Sequence, residues 1–171
     1  MSVEQELNEH AGHAQGPFDK RVAATMAALA AMLAVISVLG HMATTEEIIL
    51  QQKASDQWSY YQAKSIRRYE SEIARDLLMS VKGDKVEEYR GNAERYKKEG
   101  EEIQTKAREF EEVSHHKGLV AVRFEFGEVF VEVAIVLASL AILSKRNEVW
   151  VASLLSGGLG IAIAATSLTI H

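Results

Sequence analysis

The sequence predicts an all-α integral membrane protein with three transmembrane helices and a long antiparallel helical (coiled-coil) hairpin between the first and second. Three observations lead there. Charge is segregated: most of it lies between Thr44 and Arg123, and the flanks hold long stretches with hardly any. Three of those runs are long enough to cross a hydrocarbon core of roughly 30 Å, which takes about 20 apolar residues in a helix. The charged middle repeats its apolar residues at steps of three and four, the signature of a helical seam. A mean hydropathy of −0.07 hides this division. The 171 residues include no cysteine, which excludes a disulfide scaffold, a thiolate zinc site and a cysteine nucleophile. A formal charge of −5 argues against nucleic acid as a partner, because that needs a basic surface.

Taken in order, residues 1–17 form a polar tail that is expected to order only against a partner. The first span covers 18–43. From Val22 to Ala43 it holds no acid, lysine or arginine, and His41 is its one titratable group. The leader carries Glu4, Glu6, Glu9 and Asp19 against Lys20 and Arg21, and the apolar run exceeds a signal peptide's stretch of about 7–15 residues. A retained anchor is therefore expected. The second span covers 119–144 and is apolar from Phe124 to Leu143 except for three glutamates. A short basic turn at 145–148 leads to the third span, 149–171, uncharged from Val149 to Ile170. Lys20 and Arg21 before the first span and Lys145 and Arg146 in the turn fall on one side after three crossings. By the positive-inside rule the N-terminus and the 144–148 turn are cytoplasmic and the hairpin periplasmic, in a bacterial inner membrane.

The intervening segment, 44–118, mixes 14 lysines and arginines with 16 acids, as a solvated helix surface does. Its one strong turn signal is Lys82-Gly83-Asp84. After it, Val86, Tyr89, Ala93, Tyr96, Gly100, Ile103, Ala107 and Phe110 alternate in steps of three and four. Before it, Leu50, Ala54, Trp58, Tyr61, Ser65, Tyr69, Ile73 and Leu77 make a looser stripe. Two striped helices either side of a turn fold back on each other. Each arm has about 35 residues, a reach of roughly 50 Å. Tyrosine, alanine and glycine bury little apolar area at such a seam, so more than two helices are expected to meet there. Small residues recur in the spans too: Ala23, Ala27 and Ala31 on one face of the first, Ala30 and Ala34 on another, and Ala152, Ser156, Gly160 and Ala164 in the third. These are helix-packing surfaces, and two separate faces on one span point to a homo-oligomer.

The stretch from Gln52 to Arg67, with Gln57-Trp58-Ser59-Tyr60-Tyr61-Gln62-Ala63-Lys64-Ser65 at its centre, together with Asp19-Lys20-Arg21, resembles a bacterial family known as domain of unknown function 4337. The resemblance runs from about Phe18 onward. It implies a short bacterial membrane protein with a helical insert, and it brings no catalytic residues. Read physically, Trp58, Tyr61, Ser65 and Tyr69 share a helix face and predict an aromatic seam inside the hairpin. Lys64, Arg67 and Arg68, on the ascending arm before the turn, form a basic patch placed to meet acids of the descending arm after it or of a partner.

Glu125, Glu128 and Glu132 are the sharpest anomaly. Counted back from Leu143, Glu132 lies about 16 Å along the helix, near mid-membrane. Steps of three and four put all three on one face, which Ser139 continues. An ionised carboxylate there costs several kcal/mol, so the face is expected to turn toward protein or water. Three readings follow: a proton or cation path with Glu132 deepest and Glu128 and Glu125 as its mouth; a protonated or hydrogen-bonded glutamate bridging helices to Ser156 or Ser37; or a second span that starts later and leaves Glu128 in the interface. His41 falls at the depth of Glu125 and Glu128. His115-His116 and the tail pair His10 and His13 are too few and too divergent for a closed metal site, and no metal or cofactor is expected. Phosphate-binding, dinucleotide and hydrolase motifs are missing, and Gly157-Gly158-x-Gly160 lies inside an apolar span where helix packing accounts for it. The expected protein is no enzyme. It is an oligomeric scaffold or accessory subunit in the lipid bilayer whose hairpin binds a protein partner; the alternative is a small proton or cation channel or transporter using the glutamate face.

Overall fold

The computed structural model describes residues 16–169. Within them the chain is helical apart from two short turns: α1 (Pro17–Ser80), α2 (Val86–Ser144) and α3 (Asn147–Thr166), then a 3-10 turn, Ser167–Thr169. All three helices contain a stretch long and apolar enough to cross a membrane. The tail histidines His10 and His13 lie outside the described residues. The chain's single proline, Pro17, opens α1 at the first helical position, where a missing N–H costs nothing. No second proline interrupts this 64-residue helix.

The chain divides into two compact units, one within Met1–Thr44 and Gly118–His171, the other Thr45–Lys117. In the first, α1 packs through Val22, Leu29, Ile36 and Ala43, a seven-residue repeat, with Met26 and Leu33 half-buried and Gly40 buried between them. On α2 the buried row is Ala121, Phe124, Gly127, Val131, Ala134, Ala138 and Ala141, and on α3 it is Ser153, Gly157, Gly160 and Ala164. Both α1 and α3 run antiparallel to α2. Close approach is set by glycines. A Cβ on Gly160 would lie 2.6 Å from the Gly127 carbonyl oxygen, and one on Gly127 would lie 2.8 Å from the Gly160 oxygen, so the two backbones touch. Gly157 instead leaves room for the tip of the Leu29 side chain, and Gly40 faces the Phe124 side chain. Close contact of this kind gains dispersion energy along the whole interface.

These rows revise the small-residue faces expected from spacing. Ser156, Gly160 and Ala164 do meet α2, but Ala152 is exposed and Ser153 and Gly157 carry the packing instead. Ala23 is half-buried, while Ala27 and Ala31 are exposed and take no part in the packing of this unit. The physical reason is helical drift: four residues turn through about 400°, so a strict four-residue repeat rotates by roughly 40° at each step. The packed rows instead mix threes and fours.

In the second unit the two arms pack antiparallel. Every seam residue of the descending arm, from Val86 to Phe110, is buried or half-buried as its alternating spacing predicts. The ascending arm follows its predicted stripe from Leu50 to Ser65 and then departs from it. Tyr69, Ile73 and Leu77 are exposed, and Arg68, Ser71, Arg75 and Leu78 occupy the covered side. Three consecutive four-residue steps after Ser65 produce this drift. The turn also differs in detail. α1 ends in a Schellman motif, with Gly83 N–H donating to the Leu78 carbonyl at 2.9 Å and Lys82 N–H to that of Met79 at 3.4 Å. The left-handed residue is Lys82 (φ 53), not the adjacent glycine.

Candidate functional site

Two groups of side chains stand out, one in each unit. In the first, the glutamates of α2 do not turn inward. Glu125 and Glu132 are exposed because they lie roughly a third of a turn round the helix from Val131 at the centre of the packed row, and Glu128, roughly a sixth of a turn away, is half-buried. Ser139 continues that outward face. The expected bridge to Ser156 is not made: Ser156 Oγ donates to the Phe130 carbonyl oxygen at 2.8 Å. Ser37 is half-buried and His41 exposed. Among the described residues no hydrogen bond or ion pair engages Glu125, Glu128 or Glu132.

The same unit holds a polar cluster that sequence reasoning missed. Asp19 is buried in the first turn of α1, where a carboxylate suits the positive end of the helix dipole, and its Oδ2 accepts a charge-assisted bond from Lys145 Nζ. Lys145 holds a left-handed backbone (φ 54) in the turn between α2 and α3. Beside the pair, Trp150 packs edge-on against Phe18 at 6.2 Å and donates its indole N–H to Thr25 at 3.3 Å. Arg123 reaches the far end of α3, donating to the Thr166 carbonyl at 3.2 Å, where a cation complements the helix terminus. Lys145 and Asp19 were legible only as flanking charges, since 126 positions separate them.

In the second unit the tryptophan motif is joined to the descending arm. The Trp58 indole N–H donates to Glu111 Oε1 at 2.8 Å, and its ring meets Tyr61 edge-on. Tyr61 covers Gly100, where an added Cβ would sit 3.6 Å from its ring. Ser65 is half-buried, and Tyr69 faces outward. Lys64 reaches Glu99, with the Tyr60 and Tyr96 rings each 5.3 Å from its Nζ. Arg68 pairs with Glu72 on its own helix. Nearer the segment's ends, Ser114 Oγ donates to the Glu47 carbonyl at 3.1 Å and Lys117 pairs with Glu46 at 2.6 Å. Among the described residues no group of three or more His, Cys, Asp or Glu side chains is placed to hold a metal ion.

The hydrogen bond from Lys64 holds the Glu99 carboxyl below its ordinary 4.5, against the opposing effect of burial. The same bond, with a smaller contribution from Tyr60, holds Lys64 above 10.5. A lowered carboxylate value contributes stability that is complete above 4.5 and lost as pH falls through the folded-state value. A raised ammonium value contributes stability that is complete below 10.5 and lost as pH climbs through its folded-state value. Glu99→Gln should therefore lower the melting temperature by a constant amount across that window. The deficit should shrink toward zero in more acidic buffer, as followed by circular dichroism. A deficit that stays the same in strong acid would show that the ion pair is not its source.

The family model described as Domain of unknown function (DUF4337) matches residues 18–170. No curated protein and no solved structure matches the chain. The match takes in all but the first seventeen residues and the last, including the tryptophan motif, the Asp19–Lys145 pair and the glutamate face, and the chain belongs to the DUF4337 family.

Proposed function

We propose that this chain is a non-catalytic membrane scaffold or accessory subunit, homo-oligomeric in the lipid bilayer of a bacterial inner membrane, whose helical hairpin docks a protein partner. One observation carries the reading. On the ascending arm Ile66, Tyr69, Ile73 and Leu77 are 58%, 54%, 68% and 65% exposed, and they follow one another at steps of three and four. A row of large apolar side chains open to water is costly and marks a surface that another helix covers, in the manner of anchors entering a groove. The seam of tyrosine, alanine and glycine supports the same reading, because the hairpin's own pairing buries little apolar area. For self-association the support is the outward face of Glu125 and Glu132 and the outward Ala27 and Ala31, which lipid covers poorly or permits to pack closely.

The outward glutamates also favour a second reading, an oligomeric proton or cation channel with those carboxylates on a shared axis. Site-specific photocrosslinking in native membranes tests the first. A crosslinker at Ile73 should yield a discrete adduct that Leu77→Glu removes, and one at the exposed Glu94 should yield none. Matching adducts from both positions, or none from Ile73, would end the docking reading. Ion flux in liposomes that disappears in Glu132→Gln would put the channel in its place.

A further inference from the structure

The second unit contains a cleft of about 410 Å³ between its two arms, lined by Glu47, Gln51, Ser55, Trp58, Glu111 and His115 among others. That volume lies in the range of small-molecule sites, roughly 300–1,000 Å³. Its charge is one-sided. Two carboxylates line it and no lysine or arginine does. Elsewhere in this unit acids that face the other arm meet a cation, as Glu46 meets Lys117 and Glu99 meets Lys64. Among the described residues neither Glu47 nor Glu111 has an ion-pair partner. Glu111 is nevertheless held in place, because the Trp58 indole N–H donates to its Oε1 at 2.8 Å. An aromatic wall beside two carboxylates, one of them held by the indole, favours a cation with a carbon skeleton. A metal ion is a poorer match, since Glu47, Glu111 and His115 do not converge as a ligand set.

We propose that this cleft binds an organic cation, a primary ammonium or guanidinium group, between the carboxylates of Glu47 and Glu111 with Trp58 as its apolar wall. The group belongs either to a small free amine or to a lysine or arginine of a peptide. None of the four exposed apolar residues assigned to partner docking lines the cleft, so the two readings stand or fall separately.

Isothermal titration of the full-length protein in neutral detergent, at low salt, tests the site with two probes: butane-1,4-diamine and a Gly-Ser peptide carrying one arginine. At least one should bind saturably at one site per chain. Glu111→Gln keeps an acceptor for Trp58 and removes only charge; it should weaken binding roughly tenfold or more, as should Glu47→Gln. Ser55→Leu retains both carboxylates and fills the cleft, and it should abolish binding while the helical circular dichroism is unchanged. Binding of the diamine alone assigns a small-molecule ligand, and binding of the peptide alone assigns a partner's basic side chain. No saturable heat with either probe overturns the proposal. So does binding that survives all three substitutions, which would reduce it to general attraction by an acidic protein.

Discussion

Gly160→Ala is expected to destabilise the protein by about 1–3 kcal/mol, although it adds a single methyl group. The new Cβ would lie 2.6 Å from the Gly127 carbonyl oxygen and 2.9 Å from both Phe130 Cβ and Val131 Cγ2. Backbone cannot swing aside as a side-chain tip can, so α3 has to move off α2 and gives up packing along the whole row from Ser153 to Ala164. Gly158→Ala provides the comparison. It makes the same chemical change two residues away, at an exposed position where an added Cβ meets nothing within 4 Å. Relief of glycine's backbone entropy in a helix is worth roughly 0.5–1 kcal/mol, so Gly158→Ala should be neutral or stabilising. Denaturation of the two variants in micelles, followed by circular dichroism, decides the matter. Equal shifts would mean that the Gly127–Gly160 approach is not what holds α3.

Removing the cation from Asp19 should have an effect of similar size. Asp19 is buried, and its Oδ1 has no hydrogen-bond partner, so its compensation rests on the bond between Oδ2 and Lys145. Breaking a fully buried pair on one side costs about 3–5 kcal/mol. Lys145 is 62% exposed, which brings the expectation down to roughly 1–2 kcal/mol after solvent screening. Lys145→Asn is the cleaner probe, because asparagine tolerates the left-handed backbone at this position and the substitution isolates the lost charge. Adding Asp19→Asn to Lys145→Asn should recover part of the loss, since a neutral amide is cheaper to bury than an unpaired carboxylate. If the two single losses simply add in the double variant, the residues are not coupled and the pair contributes nothing.

How far the fold could be read in advance depended on the spacing of residues rather than on their hydrophobicity. From Val86 to Phe110 the apolar residues alternate threes and fours, an average close to the helical repeat, and every one of them packs. Stripes drawn at constant fours failed progressively. The third step from Ser65 brings the row about 120° out of phase, which puts Leu77 in water and its neighbour Leu78 against the other arm. Ala27 and Ala31 lie off the intramolecular row, and Val22, Leu29, Ile36 and Ala43 went unread as that row because alanine is scattered over every face of the segment. The glutamates were recognisable as an anomaly, and their common face follows from spacing. Their outward direction does not, since it depends on which arc of α2 the other two helices occupy. The Trp58–Glu111 bond joins positions 53 apart and required the register of the two arms, which no local signal supplies.

The chain has two tryptophans, and they fall in different compact units. Trp58 has a carboxylate at its indole nitrogen and a tyrosine at its edge, while Trp150 has a threonine hydroxyl and a phenylalanine. Each unit therefore contains its own intrinsic fluorophore in a distinct electrostatic setting. Replacing one tryptophan at a time with phenylalanine turns emission wavelength into a label-free record of when each unit opens, and shows whether the protein unfolds in one step or two.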